Sequence, residues 1–599
     1  MKSFLKTVFY FNRSKIDTFK GIRQGLLMII PALLGYYFGF FSFGLLIATG
    51  TLAHIYVFKG SPQSMIRTVV LCSLAFAVCM ILGTLTAAQP LIFGILLLVV
   101  TVVPFYIFTA LKIAGPSSTF FIVTFCLPMN LPIAPDQALV RGLGILIGGA
   151  FATLVVILTV YMKKERTEDS AINSDFKVIQ DLMKNYNEPE EFKKVATSAV
   201  SAFKASDKLL ITSSSSNGKL STRFQKLLLL HTSAQGIYSE LLELNEKGTR
   251  PLPNELIEML DFIIDKIRHP SSNHQTWKKE VDVSPEFENL ISHILKIDEI
   301  AHADSEHLEH EANIRKPLYS KRIIQNLTLD SLVFRNTLRY TVIIAVAIFV
   351  ALFFGFDKAY WIPLSAHTLL LGTSTIHTLE RGMARSLGTL LGVVVLSGIL
   401  AFTVPAPLAV ILMGFGAMMT EAFVGVNYTF AVIFITIQVI LLNGLASQNL
   451  SISIAFPRIV DVAMGVAIAL LGLFILGQRT ASALLPNTIA DVVRQEAKFF
   501  HYLFSSNEYK NEEQEKHLNL ILSVRLNNMT QMYNAANGEL FSNKSVIQYY
   551  YPSIFALEEI SFMLSRALND KNRTRIDDQQ MGEYLACLLY TSPSPRDRG

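Results

Sequence analysis

Residues 89–111 read QPLIFGILLLVVTVVPFYIFTAL, a proline-led run with no charged side chain. A bilayer core of about 30 Å needs about 20 such residues in helical form, and this stretch supplies them. No water is available at that depth to satisfy backbone groups, so the segment must be a helix. Runs of the same kind fill 22–162 and 338–477, while charges crowd 163–336 and the stretch after Arg479. Dividing the runs at their turns predicts spans at 22–39, 41–57, 66–86, 89–111, 113–128 and 138–162. A second set follows at 338–356, 360–376, 382–403, 406–421, 424–445 and 456–477.

Composition agrees with this division. The 599 residues are 51% hydrophobic and 17% charged, against about a quarter charged in ordinary soluble domains. The expected class is therefore an all-α membrane protein with two bundles of about six transmembrane helices (22–162 and 337–477). Each bundle is followed by a helical domain, 163–336 and 478–586. Residues 1–21 alternate Lys2, Lys6, Arg13, Lys15 and Lys20 with aromatic residues, which predicts a basic amphipathic segment lying on an anionic leaflet. The four cysteines have no metal or redox spacing, and the predicted role of Cys72, Cys79 and Cys126 is that of small buried hydrophobes.

Lys and Arg near span ends set the orientation. Lys59, Arg67, Lys112, Lys163, Lys164 and Arg166 mark one side, and the turns at 87–90 and 129–137 carry neither residue type. Arg335, Arg339, Arg381, Arg385 and Arg479 repeat the bias, with Lys358 the exception. The N-terminus and both helical domains are thus expected in the cytosol, with only short turns outside. Tyr360 and Trp361 are expected at the outer interface. The lipid bilayer is the surrounding medium; outward delivery would need a periplasmic adaptor protein.

The bundles superimpose in sequence. Arg23 matches Arg339 (339 − 23 = 316), and Phe38-Gly39-Phe40 matches Phe354-Gly355-Phe356 (354 − 38 = 316). Arg67 matches Arg385 (385 − 67 = 318), and Arg141 matches Arg458 (458 − 141 = 317). With an even number of spans between them the repeats run in parallel, as in transporters whose sites lie between two like halves.

The string Tyr360-Trp-Ile-Pro-Leu-Ser-Ala366, followed by Arg381-Gly-Met-Ala-Arg385-Ser-Leu-Gly388-Thr-Leu-Leu-Gly392, resembles the fusaric-acid-resistance and aromatic-acid-exporter family. Arg458 to Gly465 is similar to that family's last-span pattern. The first bundle departs from the pattern, with Thr51 and Ser42 where the second has His367 and Lys358. The resemblance implies a bacterial inner-membrane protein exporting aromatic carboxylic acids or similar lipophilic anions. The tail from Cys587 to Asp597 resembles the in-frame translation of a sequencing adaptor, which predicts a second helical domain cut short.

Each ionisable residue inside a bilayer costs at least about 2.5–3.5 kcal/mol at the centre and calls for a role. Arg141 and Arg458, at equivalent outer span ends, are expected to grip an organic anion, with Arg381, Arg385, Trp361 and Tyr360 as further anion candidates. Asp461, His367 and Glu421 are the candidates for proton coupling. The competing readings are structural: Arg458 can pair with Asp461 three residues along, positive-inside anchoring accounts for Arg381 and Arg385, and His367 can be a hydrogen-bonded core residue. Gly388 with Gly392, and Gly144 with Gly148, read as helix-packing faces. The His302–His310 stretch reads as a solvated helical face rather than a metal site.

No Walker loop, dinucleotide fingerprint, nucleophile elbow or zincin motif is present, so neither an enzyme, a cofactor nor a nucleic-acid partner is expected. The functional expectation is secondary efflux driven by the proton gradient. Its rivals are a passive anion channel and an envelope-stress scaffold acting through the helical domains. The glycine faces also allow a homo-oligomer.

Overall fold

In the computed structural model the described residues are 16–57, 62–111, 113, 115–162, 167–213, 222–268, 284–302, 323–353, 361–372, 375–451, 455–476, 481–505, 511–537, 547, 550–569 and 575–590. Among them there is no strand. The first apolar set of helices, the first bundle by its place in the sequence, comprises α1 (Thr18–Tyr37), α2 (Phe41–Gly50, continued by a 3-10 turn Thr51–Tyr56), α3 (Pro62–Thr86), α4 (Pro90–Ala110), α5 (Thr119–Cys126, continued to Asn130) and α6 (Ala138–Met162). The first helical domain holds α7 (Thr167–Lys184), α8 (Pro189–Ser213), α9 (Thr222–Glu246), α10 (Asn254–Arg268) and α11 (Glu288–His302). The second bundle holds α12 (Leu332–Phe353), α13 (Trp361–Leu370), α14 (Thr375–Leu400), α15 (Ala406–Phe423), α16 (Tyr428–Ala446) and α17 (Ala455–Ile475). The rest is α18 (Ala481–Phe504), α19 (Glu512–Asn537), α20 (Tyr551–Asn569) and α21 (Asp578–Tyr590). Residues 1–15, Lys358, Tyr360, the 303–310 stretch and 591–599 lie outside the described residues, and with them the expectations made there.

Local chemistry sets the helix ends. Asp17 caps α1 by accepting the Lys20 amide at 3.0 Å, and Asn427 caps α16 by accepting that of Phe430 at 2.9 Å. Pro90 opens α4, where its missing N–H costs nothing. Inside the spans, Thr49, Ser73, Thr84 and Thr101 return their hydroxyls to carbonyls four residues back, so few polar groups face an apolar medium unpaired.

Among the described residues eight helices are long and apolar enough to cross a membrane: α3, α4, α6, α12, α14, α15, α16 and α17. This departs from the twelve spans expected. The segment expected to span at 360–376 contains α13, whose ten residues rise about 15 Å, half the bilayer core. Thr119–Asn130 and Phe41–Tyr56 are likewise short apolar helices. These short helices are enclosed by protein; Trp361 to Leu369 are all buried. That is the setting in which incomplete helices are tolerated at membrane depth. Helix α1 has the length, but Lys20, Arg23 and Gln24 occupy its first turns.

The outer surface suits a lipid environment. On α1, Ile22, Leu26, Ile30 and Leu34 recur every four residues and are all exposed, as are Leu338, Val342 and Val346 on α12. Such stripes on several helices would make a large sticky patch in water and a solvated face in lipid.

Both bundles share one apolar core, from Met28 and Phe76 to Met413 and Ala469. Packing is reciprocal. Helix α1 lies along α15 of the other bundle, and α12 lies along α4. Within the bundles, α2 packs on α6 and α13 on α17, while α3 and α14 each pack on the fifth and sixth helices of their own set. Helices α7–α11 enclose a separate core around Phe176, Phe192 and Phe203, and α18–α20 another around Phe499 and Met529. The second core is tied to the start of α12, where Asn528 accepts the Leu332 amide at 3.0 Å and donates to the Asp330 carbonyl at 2.8 Å.

Within α18, Glu496 is fully buried. Ser561 donates to its Oε1 at 2.7 Å, and its Oε2 has no hydrogen-bond partner among the described residues. Burial pushes its pKa from 4.5 up to about 8, against the opposing pull of the Ser561 bond. Because the folded value is raised, its contribution to stability is full below 4.5 and is lost as pH rises through about 8. Glu496→Gln is expected to flatten that decline and to raise the unfolding midpoint at alkaline pH. Thermal unfolding from about pH 5 to about pH 8.5 checks this, and parallel profiles for the two proteins would contradict it.

Candidate functional site

The candidate residues fall into two groups. At the first turn of α17, Arg458 is buried, and its guanidinium carbon lies 3.9 Å from the centroid of the Trp361 ring at the start of α13. Asp461 stands one turn further along α17, also buried, within the influence of the Arg458 charge. A guanidinium over an indole is a favourable cation–π arrangement. Arg141, at the equivalent position of α6, donates from Nη2 to the Pro132 carbonyl at 2.7 Å, and its buried Nη1 has no hydrogen-bond partner among the described residues. The contacts described for Arg141 and Arg458 each stay inside their own bundle.

The second group lies toward the end where α1 and α14 begin. Arg381 donates from Nε to the Thr368 carbonyl at 3.2 Å and stacks 4.7 Å over Tyr428. Arg385, one turn on, is buried, and its charge also acts on Tyr428. Glu421, a candidate for proton coupling, lies near the end of α15, where solvent would ordinarily reach it. It is instead buried and paired at 2.8 Å with Lys20 of α1. The close passage of α1 along α15 removes it from solvent.

His367 is completely buried and joins the bundles. Its Nδ1 meets the Tyr340 hydroxyl at 2.6 Å, and its Nε2 meets the Thr119 hydroxyl of the first bundle at 3.1 Å. Tyr340 in turn stacks on Phe105 of α4 at 3.8 Å. Asn130 donates to Asn443 at 2.8 Å, and the Gln438 amide approaches the Met28 sulfur at 3.2 Å. The boundary between the halves is therefore studded with polar groups, unlike a purely apolar helix contact.

Sequence reasoning missed His54. It is buried at the end of the 3-10 turn, with Nδ1 at 3.2 Å from the Gln24 side-chain oxygen. It plays in the first bundle the part of His367 in the second, displaced by three residues from the 316-residue offset (367 − 54 = 313). A 3-10 turn rises about 2 Å per residue instead of 1.5 Å, so a fixed offset slips across it. Comparing histidines within a few residues of the offset would have found it.

Comparison with known proteins now adds to this geometry. Residues 345–472 match the family described as fusaric acid resistance protein-like. The second bundle thus resembles the membrane domain of that family. The whole chain is similar to the uncharacterized membrane protein YvaC of Bacillus subtilis (strain 168), at 24% identity over 97% of this chain and 90% of that protein. A shorter similarity links it to the inner membrane protein YccS of Escherichia coli (strain K12), at 27% identity over 25% of this chain and 20% of that protein. No solved structure matches. The multi-pass membrane character read from the helices agrees with these relatives.

Proposed function

We propose that the protein is a secondary exporter of aromatic carboxylic acids or similar lipophilic anions. In this reading it lies in a bacterial inner membrane with the start of α1 and both helical domains in the cytosol. Its two bundles are parallel repeats: the reciprocal packing of α1 on α15 and α12 on α4 supports this, as does the constant sequence offset. The observation that carries the reading is the buried Arg458 guanidinium over Trp361. A cation beside an aromatic face suits a ligand that has both a carboxylate and a ring. Asp461, His367 and Glu421 are the groups proposed to couple transport to protons.

The test is efflux from a strain lacking its own aromatic-acid exporters, with a panel of carboxylates. Arg458→Ala is expected to lower initial efflux at least about tenfold with the amount in the membrane unchanged; one lost charge-assisted bond of about 1.5–3 kcal/mol accounts for that. Wild-type efflux at the Arg458→Ala rate would remove the guanidinium from the path. An uncoupler should collapse the gradient built by an exporter, whereas a channel would only equilibrate its anion.

A further inference from the structure

The two buried histidines are set in like surroundings on one side and unlike surroundings on the other. Gln24 and Tyr340, their partners on α1 and α12, stand 316 residues apart (340 − 24 = 316), the offset that also relates Arg23 to Arg339. In the second bundle both nitrogens of His367 are engaged, and the far side of the ring is closed by the Thr119 hydroxyl and, at 3.4 Å, the Pro116 carbonyl from the other bundle. In the first bundle the described contact of the His54 ring is with Gln24 alone. The Gln24 amide nitrogen has no hydrogen-bond partner among the described residues, although Gln24 is only 1% and His54 only 2% exposed.

A buried amide donor without an acceptor is unfavourable, so a donor kept in that state suits an acceptor supplied from outside the chain. The local charge selects its sign. Lys20 and Arg23 both act on the His54 ring, and Lys20 is paired with Glu421, which leaves the Arg23 guanidinium as the nearby cation not engaged by Glu421. A donor without an acceptor and a nearby guanidinium are what an oxyanion requires.

We propose that Gln24 and His54 form a carboxylate-binding subsite between the bundles, on the side where α1 begins, and that it receives the exported anion from the cytosol. This rests on the export reading and deepens it: Gln24 donates through its amide, His54 orients that amide through Nδ1, and Arg23 supplies the attracting charge. Arg458 with Trp361 serves the opposite end of the path.

The test measures equilibrium binding of radiolabelled benzoate to the purified full chain in detergent, beside thermal unfolding and efflux. Gln24→Leu, close in volume but without donors, is expected to weaken benzoate binding at least tenfold while the unfolding midpoint holds or rises. Gln24→Glu, which sets a negative charge in the same volume, should abolish binding, and His54→Gln should weaken it less than Gln24→Leu. Benzoate binding equal to wild type in a folded Gln24→Leu protein, or no benzoate binding by wild type, overturns the subsite. Displacement of benzoate by equimolar inorganic phosphate also overturns it as a carboxylate site. The two readings fail separately: a wild type that binds benzoate through Gln24 yet builds no gradient loses the export reading, and one that exports regardless of Gln24 loses the subsite.

Discussion

Gly148→Val is expected to prevent the first bundle from assembling. An added Cβ at Gly148 would stand 2.0 Å from the Ile47 carbonyl oxygen and 2.9 Å from the Gly50 Cα. From the facing helix, a Cβ at Gly50 would stand 2.2 Å from the Ile145 carbonyl. Helices α2 and α6 thus cross backbone to backbone, held by the close approach that glycine permits. Overpacking a core costs about 1–3 kcal/mol when side chains can move aside. Here the obstacle is main-chain carbonyl on both helices, so separation of α2 from α6 is the only relief, and the loss should exceed that range. The measurement is the amount of folded protein in the membrane fraction and its unfolding midpoint in detergent. Gly398→Val is the control, since a Cβ at Gly398 meets nothing within 4 Å. Gly148→Val and Gly398→Val proteins of equal stability would refute the backbone-contact argument.

That contact also shows what was legible in the sequence. The spans expected at 66–86, 89–111 and 138–162 appear as Pro62–Thr86, Pro90–Ala110 and Ala138–Met162, because length and apolarity alone specify a lipid-crossing helix. The packing role expected for Gly144-to-Gly148 and Gly388-to-Gly392 is visible in the structure, where Gly388 and Gly392 sit against the Thr429 and Ile433 carbonyls. Apolar run length could not reveal that α13 stops after ten residues, since a helix enclosed by protein and one crossing lipid have the same composition. Nor could it reveal the Lys20–Glu421 pair, whose partners are 401 residues apart (421 − 20 = 401) and meet only because α1 crosses to the other bundle. Buried charges could be picked out of the sequence one by one, but His54 and the pairings between residues could not. Arg458 was visible as a charge in an apolar run, whereas its stacking on Trp361 depends on how α13 docks against α17.

Asp175→Ala is expected to unfold the first helical domain while leaving the membrane bundles folded. Asp175 of α7 is fully buried. It accepts a hydrogen bond from the Ser206 hydroxyl of α8 at 2.7 Å and meets His231 Nδ1 of α9 at 2.7 Å. One carboxylate therefore joins three helices, with Ser206 and His231 themselves 3% and 1% exposed. Removing the carboxylate takes a buried acceptor from Ser206 and His231, and each buried hydrogen bond lost in this way costs about 1–3 kcal/mol. Two such losses are a large share of the about 5–15 kcal/mol by which a domain is stable. Asp175→Asn keeps the volume and one acceptor and should lose less. Hydrogen exchange in the full chain reads the effect: amides of α7, α8 and α9 should exchange far faster, with those of α3 and α6 unchanged. Unaltered protection of α7–α9 would show that the apolar core around Phe176 holds the domain without the carboxylate. The same variant separates two functional readings. If the bundles alone carry export, efflux persists in Asp175→Ala; if the chain acts through partners held by its first helical domain, the phenotype disappears with protection of α7–α9.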